Sequence, residues 1–168
     1  MHESMHSFRR ESPKDYRLIR NFVVDYLYAS GHDVMKMADN VKINYGDRLT
    51  TNEDCIEEIV CNSIMAIAGD ESAMKKALQV AKAEESILDK LANAIKNLAG
   101  KIKNFILTHT TNEAAKTFVK DVEALDKLAE MFSNAADNIK AKSEEVITNE
   151  QKNNTGKGVD IKYSISDD

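Results

Sequence analysis

Two histidines four residues apart flank a glutamate at the head of this chain: His2, Glu3 and His6 in MHESMH form the H-E-x-x-H pattern of helical zinc sites. On a helix that spacing sets both imidazoles on one side, one turn apart, where their ring nitrogens can reach a single ion. A zinc so held keeps room for a third protein ligand and a water, and Glu3 would stand beside that water as general base. The chain has four histidines in all, so two of them in this register around a glutamate make a specific signal. The plain alternative is a pair of polar residues on a frayed first turn. His2 has one residue before it, so its turn is expected to fray. The sheet whose edge strand would hold a peptide across the metal is expected to be missing upstream.

A second candidate lies in CIEEIVCN, residues 55–62. Glu57 and Glu58 stand at the edge of an apolar helix face, where an unpaired charge is costly and calls for a partner such as a cation. Solvent exposure is the alternative for either. Cys55 and Cys61 are six apart, a spacing that puts them on different helix faces and argues against a disulfide between them. They read as small buried thiols. His32, just past Gly31, reads as a surface histidine in a loop.

The elements that must position these residues are helices. The first is expected to end near Phe8 to Glu11, and Ser12-Pro13 with Asp15 is a strong start for the next, with Ser12 as N-cap and a capping box to Asp15. Its stripe is Tyr16, Ile19, Phe22, Val23, Tyr26 and Leu27, and Gly31 ends it. A short helix is predicted over roughly 33–42, followed by a turn at Gly46-Asp47. Thr50 or Thr51 opens the helix that carries Glu57 and Glu58, with a capping box from Thr51 to Asp54 and an apolar face of Ile56, Ile59, Val60, Ser63, Ile64 and Ile67.

Asp70 caps a short helix. Ile87, Leu91, Ala94, Ile95, Leu98, Ile102 and Phe105 then mark a long one that passes through Gly100, and Thr108 to Thr111 breaks it. The last helix carries Ala115, Phe118, Val119, Val122, Leu125, Leu128, Ala129, Phe132 and Ala136, and should fold back as an antiparallel hairpin. Pairing of these narrow stripes with another chain is the alternative. From about Thr148 the sequence is polar and aperiodic and reads as a disordered linker, closed by IKYSIS with strand character.

Composition agrees. With 168 residues, 42% hydrophobic, one Pro and six Gly, the chain can bury a real core and suits helices better than a strand-and-turn fold. The net charge of −5 gives no electrostatic reason to expect nucleic acid. No apolar run follows Arg9 and Arg10, so no signal peptide is visible, and the apolar clusters are too short or too interrupted to span a bilayer. A reducing cytoplasm is the expected setting.

The order of these pieces resembles the metallopeptidase-like segment found inside large polyvalent proteins of phages and mobile elements of gut Firmicutes. There an H-E-x-x-H helix precedes a Tyr-containing helix, a helix with E-E-I-V-A-D and a Gly-Asp end, long amphipathic helices and a K-Y-S-L-like stretch. The matching pieces here are HESMH (2–6), SPKDYRLI (12–19), EEIVCN (57–62), AGDE (68–71), ILDKLANAIKNLAGKIKNFI (87–106) and KYSIS (162–166).

The E-x-x-x-D part is also similar to the glutamate-ligand zinc peptidases, whose first Glu binds metal and whose Asp orients a histidine ligand. The resemblance therefore implies Zn2+ held by His2, His6 and Glu58, with Glu3 catalytic and Asn62 at the Asp position. Asn62 departs from the pattern, since it can accept an imidazole N–H but brings no negative charge. Glu57, about 100° around the helix, is the less favoured ligand.

The implied fold is all-α. It comprises the helical C-terminal part of an N-terminally truncated zincin-like domain over 1–108, a long helix over 109–147 packing back on 84–108, and a disordered tail over 148–168. The implied activity is that of a zinc metalloendopeptidase, incomplete or inactive in this chain. The implied partners are a peptide or protein substrate and the rest of a polyprotein, without nucleic acid or membrane. The implied location is the bacterial host cytoplasm or a virion. The alternative is a non-catalytic helical spacer or protein-interaction module.

Overall fold

The computed structural model describes residues 2–48, 51–109 and 112–153. These form seven α-helices: α1 (His2–Glu11), α2 (Pro13–Ala29), α3 (Val34–Tyr45), α4 (Asn52–Ala68), α5 (Glu71–Lys82), α6 (Leu88–His109) and α7 (Asn112–Asn153). Short 3₁₀ turns at Gly46–Arg48 and Glu85–Ile87 complete them, and there is no strand among the described residues.

Helix ends follow local chemistry, with two departures, at Ser12 and at Asp70, which stands at the N-cap position of α5 but whose side chain makes no cap hydrogen bond. α2 opens on Pro13, where a missing N–H costs nothing. Ser12 makes no side-chain cap hydrogen bond, so the expected box to Asp15 does not form. Instead the Ser12 N–H donates to the Phe8 carbonyl at 2.8 Å, which carries the chain almost directly from α1 into α2. At the other end Gly31 takes φ +86°, and the Gly31 and His32 N–H groups donate to the carbonyls of Tyr28 and Leu27. That is the Schellman closure, and glycine meets its left-handed requirement.

Thr51 does cap α4, its hydroxyl accepting from the Asp54 N–H at 3.1 Å. Thr51→Ala should therefore cost about 1 kcal/mol and lower Tm by about 2–4 °C, whereas Ser12→Ala should leave Tm nearly unchanged. Thermal denaturation followed by circular dichroism checks both. Equal losses would mean that the Thr51 hydroxyl does not act as a cap.

α4 lies at the centre, in contact with α1, α2, α3, α5 and α7. It buries Cys55, Ile56, Ile59, Val60, Cys61, Ile64, Ile67 and Ala68, which cover most of its circumference, and both thiols are free. A helix apolar on nearly all sides belongs in the interior. α6 and α7 form an antiparallel hairpin: Phe105 meets Phe118 edge-on with ring centroids 6.3 Å apart, and Asp89 pairs with Lys140. The two stripes thus cover one another within a single chain. Leu125, Leu128, Ala129, Phe132, Ala135 and Ala136 are buried, and Phe132 also meets Phe22 of α2.

Two expectations change. Val119 is 45% exposed, because Phe118 takes the inward position and its neighbour points about 100° away. α7 also runs on to Asn153, past the boundary expected near Thr148. TNEQKN contains Glu, Gln and Lys, good helix formers, and no glycine, so nothing in it stops a helix already propagating. The remaining tail and its KYSIS stretch lie outside the described residues.

Candidate metal centre

α1 carries two functional stripes. Met5 and Phe8 are buried against the core, and Ser4 is buried with them. His2, His6 and Arg9, at helical spacing, face α4. On α4 the matching stripe is Asp54, Glu57 and Glu58, and the two helices run antiparallel. His2 Nδ1 lies 2.9 Å from Glu58 Oε2, and His6 Nδ1 lies 3.3 Å from Glu57 Oε1. The Arg9 guanidinium donates to Asp54 Oδ1 at 3.0 Å and to Glu57 Oε1 at 3.3 Å. The carboxylates are the withdrawn partners: the Glu58 and Glu57 side chains are 12% and 14% exposed, against 55% and 59% for His2 and His6.

His2, Glu3, His6, Glu57 and Glu58 line one open cleft of about 550 Å³, together with Arg48 and Asp54. Residues far apart in sequence thus share one surface. Their pairing differs from three ligands around one point, since each imidazole meets a different carboxylate. Arg9 shares Glu57, which places both acids at α1 rather than one. Among the described residues no three His, Cys, Asp or Glu side chains are clustered so as to hold one ion. The set fits zinc in kind, two imidazoles and a carboxylate on facing helices. It is not assembled for zinc in position.

Asn62 is exposed and does not line the cleft, and the contacts to the imidazoles come from Glu57 and Glu58 themselves. His32 is exposed in the loop between α2 and α3. Burial, and then the charge of Glu58, pushes the Cys61 thiol up to about 12.

Two residues at the site escape sequence reasoning. Arg9 is the first, although its place seven after His2, opposite an acid at 54 and another at 57, is a legible signal of helix pairing. Tyr45 is the second: its hydroxyl donates to Glu58 Oε1 at 2.9 Å. Burial by itself would raise the Asp54 carboxyl, but its hydrogen bonds with Arg9 and Thr51 outweigh this and hold it below the usual carboxylate range.

No family model matches the chain, and neither does any curated protein or solved structure.

Proposed function

We propose that the α1–α4 face is the metal-binding half of a zinc peptidase-like domain of the kind carried by phage polyvalent proteins. The observation that supports this reading most is the juxtaposition of His2, Glu3 and His6 with Glu58 across one cleft, with His2 in direct contact with Glu58. His2 and His6 would supply imidazole nitrogen and Glu58 a carboxylate oxygen. Bound zinc supplies Lewis acidity and an acidified water. Glu3 is exposed on the same helix and lines the same cleft; in this reading it would accept the proton of a water there and return it to a leaving amine. Arg9 engages Glu57 as a cation, whereas Glu58 has no arginine or lysine ion pair among the described residues.

The described residues hold little that would fix a peptide. There is no edge strand among them to align a scissile carbonyl, and misplacement by about 1 Å can cost ~100-fold in rate. The ligands must also rearrange, since His6 faces Glu57 rather than Glu58, and an unassembled site binds metal less tightly. We therefore expect about one zinc per chain, weakly held, in equilibrium dialysis at neutral pH. Hydrolysis of casein should be negligible.

A second reading has its own support. The His2, His6 and Arg9 contacts account for the spacing on α1 as helix docking alone, which suits a non-catalytic helical spacer or interaction module. Absence of zinc uptake would select that reading. Proteolysis lost in Glu3→Gln would instead establish a working peptidase.

A further inference from the structure

We propose that the groove between α5 and α7 is the docking site of the chain's own residues 159–168, which lie outside the described residues. The inference is independent of any metal at the α1–α4 face. The groove, of about 550 Å³, has a floor of Leu78 on α5 and Met131, Ala135 and Ile139 on α7. Leu78, Met131 and Ile139 pack on the core from its edge and are only half-buried. Apolar surface left in a groove gains free energy when it is covered. Met131 can also adapt its unbranched side chain to what lies on it.

The rim indicates the charge of the occupant. Lys82, Lys127 and Lys142 stand exposed around the floor, against one acid, Glu130. The lysine ion pairs among the described residues are those of Lys75, Lys101 and Lys140, so the three rim ammoniums have none there. Asn134 and Asn138, one helical turn apart, line the same groove. Their amides can bond the backbone of an extended segment, whereas a helical occupant has its backbone groups already paired.

Residues 159–168, VDIKYSISDD, carry the matching pattern. Val159, Ile161, Tyr163 and Ile165 alternate with polar residues, a spacing that sets them on one edge of an extended chain. Asp160, Asp167 and Asp168 outweigh Lys162 in charge, as the rim lysines outweigh Glu130. Distances agree as well. Lys127 and Lys142 stand about 22 Å apart along α7 at ~1.5 Å per residue, and an extended chain separates Asp160 from Asp167 by about 23 Å. α7 ends at Asn153, about 16 Å beyond Lys142. The stretch from there to Asp160 can span up to ~23 Å, and it contains Gly156 and Gly158, which permit a reversal. Tethering also gives the segment a high effective concentration at the groove.

The chain has no tryptophan, so Tyr163→Trp in the full chain supplies a single reporter. Its emission is expected to be blue-shifted, and less quenched by acrylamide, relative to a synthetic peptide of residues 154–168 with the same substitution. Lys127→Glu together with Lys142→Glu should return the emission to that of the peptide. Adding Asp160→Lys, Asp167→Lys and Asp168→Lys should restore the shift. Carbodiimide coupling of the unaltered chain, which needs no substitution, should join Lys127 or Lys142 to these acids within monomers, as read by peptide mass spectrometry.

Emission like that of the peptide, with no such cross-links, overturns the inference. A blue shift that the lysine reversals leave unchanged also overturns it, since the segment would then rest elsewhere. Cross-links formed only between two copies overturn it too and give the groove to a second chain.

Discussion

On the proposed zinc reading, Glu58→Ala is expected to weaken zinc binding by more than ~100-fold, because loss of a direct ligand would exceed the ~10–100-fold that follows loss of a group merely holding one. The comparison that gives this meaning is Glu57→Ala. The two acids are adjacent on α4, similarly withdrawn from solvent, and each touches a histidine of α1. Their other partners separate them. Glu57 accepts from Arg9, while Glu58 accepts from the neutral Tyr45 and keeps its charge uncompensated by any arginine or lysine ion pair among the described residues. Glu57→Ala should therefore loosen α1 and lower Tm while zinc binding falls only a few-fold, within the scale of a lost supporting contact. Metal analysis after dialysis reads the first effect and thermal denaturation the second. If Glu57→Ala abolished zinc uptake and Glu58→Ala spared it, Glu57 would be the ligand and Arg9 would have to move on binding.

The site was legible in residue type and only partly in arrangement. The i, i+4 spacing of His2 and His6 is enough by itself to fix their common side of α1. Which carboxylate meets which imidazole does not follow from spacing. It depends on how α1 is rotated over α4, and that rotation is set by Met5 and Phe8 seeking the core and by Arg9 bridging Asp54 and Glu57. Tyr45 was hidden for a different reason. Composition suggests that the third helix stops near residue 42, whereas α3 continues to Tyr45 and turns only at Gly46. The added turn of helix carries the phenol to Glu58.

Helix positions were legible nearly throughout because amphipathic periodicity and glycine stops agree with one another along the chain. Gly31 shows this, ending α2 where the stripe ends and supplying the left-handed residue that the closure needs. Failures occurred where two rules competed. Ser12 could cap with its side chain or let Pro13 start the helix, and the backbone bond to Phe8 prevailed. Val119 had the right polarity for the seam, but only one of two adjacent apolar residues can face α6.

Phe132→Ala should be the most damaging single change to the fold. Phe132 is fully buried on α7, and its ring meets Phe22 of α2 edge-to-face, with centroids 5.4 Å apart at 89°. Removing a buried phenylalanine costs about 3–5 kcal/mol, through lost transfer energy and the cavity left behind. The lost aromatic pair contributes about 0.5–1.5 kcal/mol, part of which falls within that range. For a chain of this length each kcal/mol shifts Tm by about 2–4 °C, so a fall of roughly 10 °C is expected. Val119→Ala, at a position 45% exposed on the same helix, should change stability by no more than about 0.5 kcal/mol.

Phe132 adds a contact from α7 to the packing of α6 on α2, and α2 in turn contacts α1 and α4. If these contacts form one core, the weakened protein will still melt in a single transition, and on the proposed zinc reading any protection by zinc will be lost over the same temperature range. Two separated transitions would show instead that the hairpin unfolds independently of the helices that carry His2, His6 and Glu58. In that case the variant's metal affinity below the first transition should equal that of the unaltered chain.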